Sequence, residues 1–225
     1  MAKVHGMPGE WARVKGTVLG LWPLFSGLFL AGFASAAIIF NGGEWGWYLL
    51  ALAAVAIGWS VNRGFRRVES FFIGARGEER VSNILRSLPE SYHVFNDFIA
   101  LSSHIDHVVA GPAGVFAIET KNWRGEVTVE EGAVLVNGAL PTRDPLKQAR
   151  REAALVKAQL AKLGWNGEVT PILVFASDTF DAQIAEVDGT VVINSCEIAR
   201  SFSTDRVVIH PTEVERLAGL MEMAR

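Results

Sequence analysis

The chain has 225 residues but only one cysteine, Cys196, and it contains two long stretches without a charged side chain. A single cysteine cannot form an intrachain disulfide or a cysteine-based zinc cluster, which fits a reducing compartment. The sequence also lacks a glycine-rich phosphate loop of the Walker type, and its serine, histidine and aspartate residues do not fall on elements that suit a hydrolase triad. These absences argue against a disulfide-stabilised secreted domain, a P-loop enzyme and a serine hydrolase.

The net charge differs in sign between the two parts of the chain. Residues 1–67 contain six basic and two acidic side chains, a net charge of +4, whereas residues 68–225 contain 15 basic and 22 acidic ones, a net charge of −7. The acidic balance argues against a non-specific nucleic-acid coat, since such binding comes from basic side chains that neutralise phosphates. A local basic patch is still compatible with nucleic-acid binding.

The two uncharged stretches cover residues 17–40 and 45–61. Each is long enough to cross a bilayer as a helix, the second near the lower limit, and Asn41-Gly42-Gly43-Glu44 leaves room only for a tight turn. Basic residues flank the pair: Lys3, Arg13 and Lys15 come before it, and Arg63, Arg66 and Arg67 come after it. By the positive-inside rule both ends lie in the cytoplasm. We therefore predict that residues 1–67 form a multi-pass anchor in the lipid of the cytoplasmic (inner) membrane, with both termini and residues 68–225 in the cytoplasm.

Two alternatives exist for the apolar region. A cleaved signal peptide would have an apolar core of about 7–15 residues, whereas the first stretch is longer and a second one follows. A pair of buried helices in a soluble protein would be expected to show a polar face, which neither stretch has. The membrane hairpin is the interpretation that fits both observations.

Residues 68–225 are predicted to form one α/β domain. A connector over 63–73 leads to Gly74-Ala75-Arg76-Gly77, where a helix is predicted to begin; its apolar stripe covers 78–88 and Pro89 ends it. Strands are predicted at 92–99, 105–110, 115–121, 126–129, 133–136, 170–176, 190–194 and 207–209. Further helices are predicted at 144–163, 196–202 and 211–223.

Two of these helices carry recognisable start signals. Asp144 followed by Pro145 reads as an N-cap with proline at the first helical position. Thr212 and Glu215 have the spacing of a capping box. Glu78 falls in the first turn of the helix predicted to begin at Gly77, on the inward face, where the helix dipole alone would favour a carboxylate.

The central feature of the domain is a predicted hairpin around the turn sequence Gly111-Pro112-Ala113-Gly114. If a four-residue loop closes symmetrically, Asp106 faces Glu119. Period-two alternation then places Lys121 on the same face as Glu119, whereas Phe116 and Ile118 point to the other side, into a core. A slip of one residue in the register would send Asp106 to the opposite face.

Directly opposed carboxylates repel each other unless a cation lies between them. Oxygen ligands suit a hard cation such as Mg²⁺, which keeps several waters and can present one of them as a nucleophile. Lys121 could orient that water or stabilise a pentavalent phosphate. The alternative is a solvated strand face on which Glu119 and Lys121 make only a loose contact.

Three blocks of sequence carry a resemblance to a known family: GARGEERV at 74–81, SHIDHVVAGPAGVFAIETKNWRGEV at 103–127 and DPLKQA at 144–149. They resemble the nuclease-related domain family, NERD, within the PD-(D/E)XK nuclease superfamily, over about residues 74–176. The resemblance implies an α/β, restriction-endonuclease-like core of order αβββαβ, with a mixed central sheet flanked by helices. The transmembrane hairpin precedes that core, and the domain is predicted to cover residues 68–225.

The resemblance also implies a role for each matching residue. Asp106 and Glu119 would be ligands of Mg²⁺ or Mn²⁺, Lys121 the catalytic lysine, Glu78 the supporting carboxylate from the helix, and Gln148 the polar residue near the scissile phosphate. The metal-binding strand reads Ile-Asp-His instead of Pro-Asp, a departure that the NERD pattern shares. Residues after 176 lie outside the resemblance and receive no role.

Several residues near the predicted site could contact nucleic acid. Lys147, Arg150 and Arg151 could hold flanking phosphates, although a solvated basic helix face explains them equally well. Trp123 could stack on a nucleobase, or it could pack over the edge of the sheet. His104 could approach the site, whereas His107 is expected to be a core or edge residue.

Together these features predict a membrane-anchored, metal-dependent nuclease that hydrolyses phosphodiester bonds of nucleic acid, expected to be DNA, as an endo- or exodeoxyribonuclease. An alternative is a catalytically weak or inactive, membrane-tethered nucleic-acid-binding or interaction module of the same fold, which the acidic charge of residues 68–225 favours. A third interpretation is a structural membrane protein in which the charge cluster has no role.

Overall fold

The computed structural model describes residues 1–41, 44–177, 180, 185–202 and 207–224. Of the predicted turn between the apolar stretches, Gly42 and Gly43 lie outside the described residues, as do the side chains of Arg66 and Arg67 in the predicted basic flank. The chain divides into two compact units. One is Glu10–Ala75, and the other combines Met1–Gly9 with Arg76–Arg225.

The unit Glu10–Ala75 contains helix α1, Glu10–Asn41, and most of helix α2, Trp45–Leu85. Both helices are long and apolar enough to span a membrane. Their apolar side chains are largely exposed, as Phe29 and Phe40 illustrate at 79% and 84%, which is unlike a core helix of a soluble protein. The two helices approach each other closely at Gly20 and Gly64. A Cβ added to Gly64 would lie only 2.5 Å from the carbonyl oxygen of Gly20. Such close packing is typical of small residues in membrane helices.

Helix α2 is continuous through the segment that the sequence predicts as a connector. The predicted connector at 63–73 and the predicted helix start at 74–77 are wrong, since the helix runs unbroken from Trp45 to Leu85. A glycine in a helix interior costs only about 1 kcal/mol, so Gly74 and Gly77 weaken the helix without ending it. The dipole explanation of Glu78 is therefore wrong as well, because Glu78 does not lie in a first helical turn.

The described part of the unit Met1–Gly9 with Arg76–Arg225 is built on a seven-stranded mixed sheet in the order β1-β2-β3-β4-β7-β9-β8. Its strands are β1 Lys3–His5, β2 His93–Ala100, β3 Ser103–Gly111, β4 Gly114–Lys121, β7 Val169–Phe175, β8 Ala185–Val187 and β9 Thr190–Asn194. Strands β2, β3 and β4 are antiparallel, whereas β4, β7 and β9 run parallel. A separate hairpin consists of β5 Val127–Glu130 and β6 Ala133–Val136.

Helices cover both faces of the sheet. Helices α3, Pro145–Lys162, and α5, Pro211–Met223, contribute Val156, Leu160 and Leu217 to the core on one face. On the other face Val81 and Leu85 of α2 pack together with residues of the short helix α4, Ile198–Ser201. The result is a mixed α/β architecture in which helices flank a mixed central sheet and two apolar helices precede it. The sequence predicts this architecture.

Several local predictions need correction. Gly111 pairs with Gly114, so the hairpin loop is two residues and not four. Residues 207–209 do not form a strand, because Val208 and Ile209 both donate their amides to the single carbonyl oxygen of Pro112, at 2.7 and 3.0 Å, instead of joining a ladder. The N-cap of α5 is His210, so the capping box predicted from Thr212 is wrong; the proline at the first helical position fixes the start two residues earlier.

Candidate active site

The register of the β3–β4 hairpin brings the two predicted carboxylates together. The last paired residues are His107 and Ile118, and the next position along both strands brings Asp106 opposite Glu119. Asp106 and Glu119 are only 9% and 3% exposed, and Asp106 Oδ2 accepts a hydrogen bond of 2.8 Å from the amide of Thr120. Burial and the neighbouring charges of Glu119 and other carboxylates raise the pKa of Asp106 well above its ordinary value.

A third carboxylate, Asp97, lies at the same level of the sheet on β2. Its neighbours Asn96 and Phe98 both pair with β3 in a register that leaves Asp97 opposite Asp106. Asp97 has a positive φ of 51°, a conformation that few residues other than glycine adopt. His104 Nε2 lies 2.6 Å from Asp97 Oδ1, and His104 Nδ1 lies 3.7 Å from Asp106 Oδ1. His104 therefore approaches the site, between two of its acids.

Lys121 belongs to a closed ring of polar side chains on β4 and α3. Its Nζ contacts Glu119 Oε1 and donates a hydrogen bond of 3.1 Å to Gln148 Oε1. Gln148 Nε2 donates in turn to Glu152 Oε1 at 2.9 Å, and Glu152 lies beside Glu119, which raises its pKa. The N-cap residue Asp144, whose side chain accepts from two amides of the first turn, fixes the start of α3. Gln148 and Glu152 are one helical turn apart and so face β4 together.

Glu78 reaches the same group of charges from helix α2. A Cβ on Gly77 would lie 2.6 Å from the Cβ of Asn122, so the glycine allows the helix to approach the end of β4 closely. Burial, followed by the charges of Asp97 and Glu119, raises the pKa of Glu78 to about 7. Glu78 lies well beyond the apolar stretch of α2, in the unit that contains the sheet.

The site is a buried cluster in which negative charge exceeds positive charge. Burial and the neighbouring Glu119 raise the pKa of Glu152 to about 9. For Lys121, burial alone would lower the pKa, but Glu119, Asp106 and Glu152 together raise it above its ordinary value. Within the described residues, Glu78 Oε2 and Glu152 Oε2 are buried without a hydrogen-bond partner. The raised pKa values and the two unpartnered oxygens indicate that Lys121 alone does not balance the negative charge of the cluster.

The chemistry of this cluster fits a hard divalent cation. In the described part of the chain no three histidine, cysteine, aspartate or glutamate side chains form a complete metal site by themselves. Mg²⁺ does not need such a set, since it is commonly held by one or two carboxylates and keeps several waters. Asp106 and Glu119 would supply the two carboxylates. Added positive charge would also favour the buried, unpartnered oxygens of Glu78 and Glu152.

The three basic residues predicted to hold phosphates lie on α3. Lys147 and Arg151 are exposed, whereas Arg150 is partly buried. Arg150 Nη1 lies 3.6 Å from Asp188 Oδ2. These side chains are thus on the same helix as Gln148, but none of them belongs to the polar ring around Lys121.

Trp123 and His107 contact the interior of the domain. The Trp123 ring lies 5.7 Å from that of Phe175 and packs on the core beneath the β5–β6 hairpin, which is the packing alternative considered from the sequence. His107 is completely buried, with Nδ1 2.7 Å from Asn96 Oδ1, and burial lowers its pKa to about 3. His107 is therefore a neutral core residue, as the sequence predicts.

Two members of the cluster have no role in the sequence prediction. Glu152 could have been found from its spacing, because it is four residues after Gln148 and next to the apolar stripe of α3. Asp97 gives no such signal. Its position beside Asp106 depends on the pairing of β2 with β3 and on a positive φ, neither of which the local sequence specifies.

Comparison with known proteins agrees with this arrangement. A family model described as a nuclease-related domain, NERD, matches residues 73–176. No curated protein and no solved structure matches the chain. The matched range includes α2 from Ile73 onward, the β2–β4 strands, α3 and β7, and therefore every member of the acidic cluster. Residues 73–176 thus match the nuclease-related domain family, NERD, and two helices long and apolar enough to span a membrane begin N-terminal to this range.

Proposed function

We propose that this chain is a membrane-anchored nuclease that hydrolyses phosphodiester bonds, in DNA, with Mg²⁺ or Mn²⁺. The observation that carries the proposal is the polar ring in which Lys121 Nζ contacts Glu119 and donates to Gln148 at 3.1 Å. Asp106 lies opposite Glu119 in the same sheet. These two contacts support a role for Lys121 at a bound phosphate, because they hold its amine in one position, which a loose surface contact would not.

Each residue of the cluster has a distinct task in this proposal. Asp106 and Glu119 would hold the cation, which when bound lowers the pKa of a coordinated water and offsets charge on the phosphate. Lys121 orients the attacking water and stabilises charge that develops on the phosphate oxygens. Gln148 keeps the lysine in place by accepting its hydrogen bond, and Glu152 fixes the orientation of the Gln148 amide. Glu78 adds negative charge that favours cation binding.

The nucleic-acid contacts follow from the position of α3. Gln148 faces β4 whereas Lys147 and Arg151 on the same helix are exposed, so a phosphate chain passing the site could meet these cations next. This local basic surface offsets the acidic balance of the rest of the domain. We propose Lys147, Arg150 and Arg151 as phosphate contacts, whereas the packing of Trp123 on Phe175 favours a structural role for that ring.

The proposed anchor consists of the apolar parts of α1 and α2. Both helices keep most of their apolar side chains exposed. Such an apolar surface is stable in lipid but not in water.

The location of the domain can be tested through its cysteine. Cys196 is exposed and is the only cysteine of the chain. A membrane-impermeant maleimide should therefore label it only after intact cells are opened. Labelling of intact cells would contradict the cytoplasmic location of the domain.

The activity is tested with the full chain in detergent and a circular DNA substrate. We expect nicked or linear product with Mg²⁺ or Mn²⁺, no product with EDTA, and loss of product in Asp106→Asn and Lys121→Met. The matched control is the exposed ion pair of Lys157 and Glu168: Lys157→Met and Glu168→Gln should retain activity. Cleavage that survives EDTA and both site variants would overturn the assignment.

A second candidate is a tethered binding module that has lost turnover. The acidic net charge of residues 68–225 favours it over an efficient nuclease, since net repulsion slows the capture of nucleic-acid substrate on which turnover depends. The same preparation distinguishes the two functions. If the wild-type chain binds DNA but neither binds Mg²⁺ nor cleaves, the module is the correct function. A parallel RNA substrate tests the choice of DNA.

A further inference from the structure

His104 lies on the same face of strand β3 as the predicted metal ligand Asp106. Residues two apart on a strand point to the same side of the sheet, and both side chains are mostly buried, at 13% exposure each. Ala100 pairs with Ser103, so only two residues connect β2 to β3, and the next pair along the ladder joins Ile99 to His104. The register of this tight hairpin therefore fixes the position of His104 beside Asp106.

The carboxylate of Asp97 fixes the orientation of the His104 ring. Nε2 of the ring lies 2.6 Å from Asp97 Oδ1, which is the distance of a charge-assisted hydrogen bond. A carboxylate accepts hydrogen bonds, so Nε2 donates to it, and the neutral ring then carries its lone pair on Nδ1. The φ of 51° at Asp97 is a strained conformation for a residue other than glycine, and such residues cluster at functional sites.

The second nitrogen of the His104 ring faces the predicted metal ligand. Nδ1 lies 3.7 Å from Asp106 Oδ1, whereas the other oxygen, Oδ2, accepts from the amide of Thr120. The distance of 3.7 Å is too long for a hydrogen bond. It is short enough for one shared ion, since two ligand atoms that each lie about 2.1 Å from a cation are at most about 4.2 Å apart. Within the described residues no three such side chains already form a complete site, so an ion would have to draw these two donors together.

We propose that His104 Nδ1 is a ligand of the cation at Asp106 and that Asp97 positions the ring. A metal-binding histidine commonly donates its other ring N–H to a carboxylate, which fixes the ring and makes it a better ligand. Imidazole suits transition metals such as Fe²⁺, Ni²⁺ and Zn²⁺, whereas Mg²⁺ prefers oxygen ligands. The inference rests on the proposed metal site at Asp106, and it names the class of cation that this site binds most tightly.

Pulsed electron paramagnetic resonance of Mn²⁺ bound to the full chain in detergent, purified without a histidine tag, tests the ligand. We expect the signature of a directly bound imidazole nitrogen in the wild type and its loss in His104→Asn. Mn²⁺ affinity should fall at least about tenfold, since even an outer-shell partner is worth about 10–100-fold. The matched control is His210→Asn, which replaces the exposed N-cap histidine of α5 by another good N-cap residue and should change neither the signal nor the affinity.

The outcomes separate this inference from the proposed function. Bound Mn²⁺ without a nitrogen signal, in a chain whose Asp106→Asn variant does not bind, would overturn the role of His104 and leave the proposed nuclease site standing. A nitrogen signal that His104→Asn removes, in a chain that does not cleave DNA, would support the inference and overturn the nuclease. No Mn²⁺ binding by the folded wild type would overturn both.

Competition between cations distinguishes a ligand from a residue that only supports the fold. In His104→Asn an amide oxygen replaces the nitrogen, so the affinity for Ni²⁺ should fall at least about tenfold and that for Mg²⁺ much less. Equal losses for the two ions would refute the proposal. Asp97→Asn keeps an acceptor for Nε2 but removes its charge; it should retain the nitrogen signal and weaken Ni²⁺ binding about tenfold. An unchanged affinity would overturn the positioning role of Asp97.

Discussion

The most distinctive energetic feature of the site is Glu152, whose replacement by glutamine should stabilise the protein. Burial and Glu119 raise the pKa of Glu152 to about 9 from an ordinary value of 4.5. Between these two pH values the folded state holds a proton that the unfolded state has released, so stability falls as the pH rises through this window. Each pH unit costs about 1.4 kcal/mol, which gives a cost of about 3 kcal/mol at pH 7.

Glutamine should remove that cost and keep the hydrogen bonds. Its amide oxygen can still accept from Gln148 Nε2, which now lies 2.9 Å from Glu152 Oε1, and its amide nitrogen can donate to Glu119. Because glutamine needs no proton to be neutral, Glu152→Gln should gain about 3 kcal/mol at pH 7 and almost nothing at pH 4.5. For a folded unit of this size that corresponds to a rise in Tm of about 6–12 °C.

The assay is thermal unfolding of the full chain in detergent with EDTA, at pH 4.5 and pH 7, followed by intrinsic tryptophan fluorescence. Glu168→Gln removes an exposed carboxylate and serves as the control, which should change stability by less than about 0.5 kcal/mol. The contrary result would be a lower Tm of Glu152→Gln at pH 7, or an equal gain in Tm at the two pH values. Such a result would mean that Glu152 is ionised and favourably paired in the folded protein.

Other variants and conditions test the remaining parts of the site. Lys121→Met should lower cleavage by at least about 10²-fold while the chain stays folded, as circular dichroism would check. Gln148→Ala should lower kcat more than it raises KM, since it frees Lys121 without removing a ligand; an effect on KM alone would contradict this. Mg²⁺ at about 100 times its Kd should stabilise the wild type by about 2.7 kcal/mol in a Tm assay, and Asp106→Asn should abolish that gain. Because Glu78 and Glu152, with pKa values of about 7 and 9, must release protons when a cation binds, Mg²⁺ affinity measured by calorimetry should rise from pH 6 to pH 9; a flat profile would mean that neither group senses the cation.

The strands that carry the site could be predicted because their signals are local. Alternating apolar residues and one glycine-proline turn specify the β3–β4 pairing, and the pairing alone brings Asp106 opposite Glu119. The signal for the start of α3 is also local. An aspartate followed by proline fixes the first residue of the helix, and that residue determines which face of the helix, the one with Gln148, lies against β4. In these segments propensity, turn chemistry and burial all favour the same structure.

The parts that sequence reasoning missed depend on contacts between distant segments. The sequence predicts a helix start at Gly74 and Gly77, but helix α2 continues through both glycines. Each glycine costs the helix only about 1 kcal/mol, and the close approach of Gly77 to Asn122 outweighs that cost. Strand β1 is three residues long and has no periodicity to reveal it. Asp97 joins the site through a backbone conformation that local sequence disfavours.

Mn²⁺ binding observed by electron paramagnetic resonance is the most direct test of whether Asp106 and Glu119 hold a divalent cation beside Lys121. We expect the wild-type chain in detergent to bind Mn²⁺ and Mg²⁺ to displace it. Asp106→Asn and Glu119→Gln should each weaken binding severely, while Glu168→Gln should not. Equal Mn²⁺ binding by wild type and Asp106→Asn, or no binding by the folded wild type, would show that these carboxylates do not hold the cation.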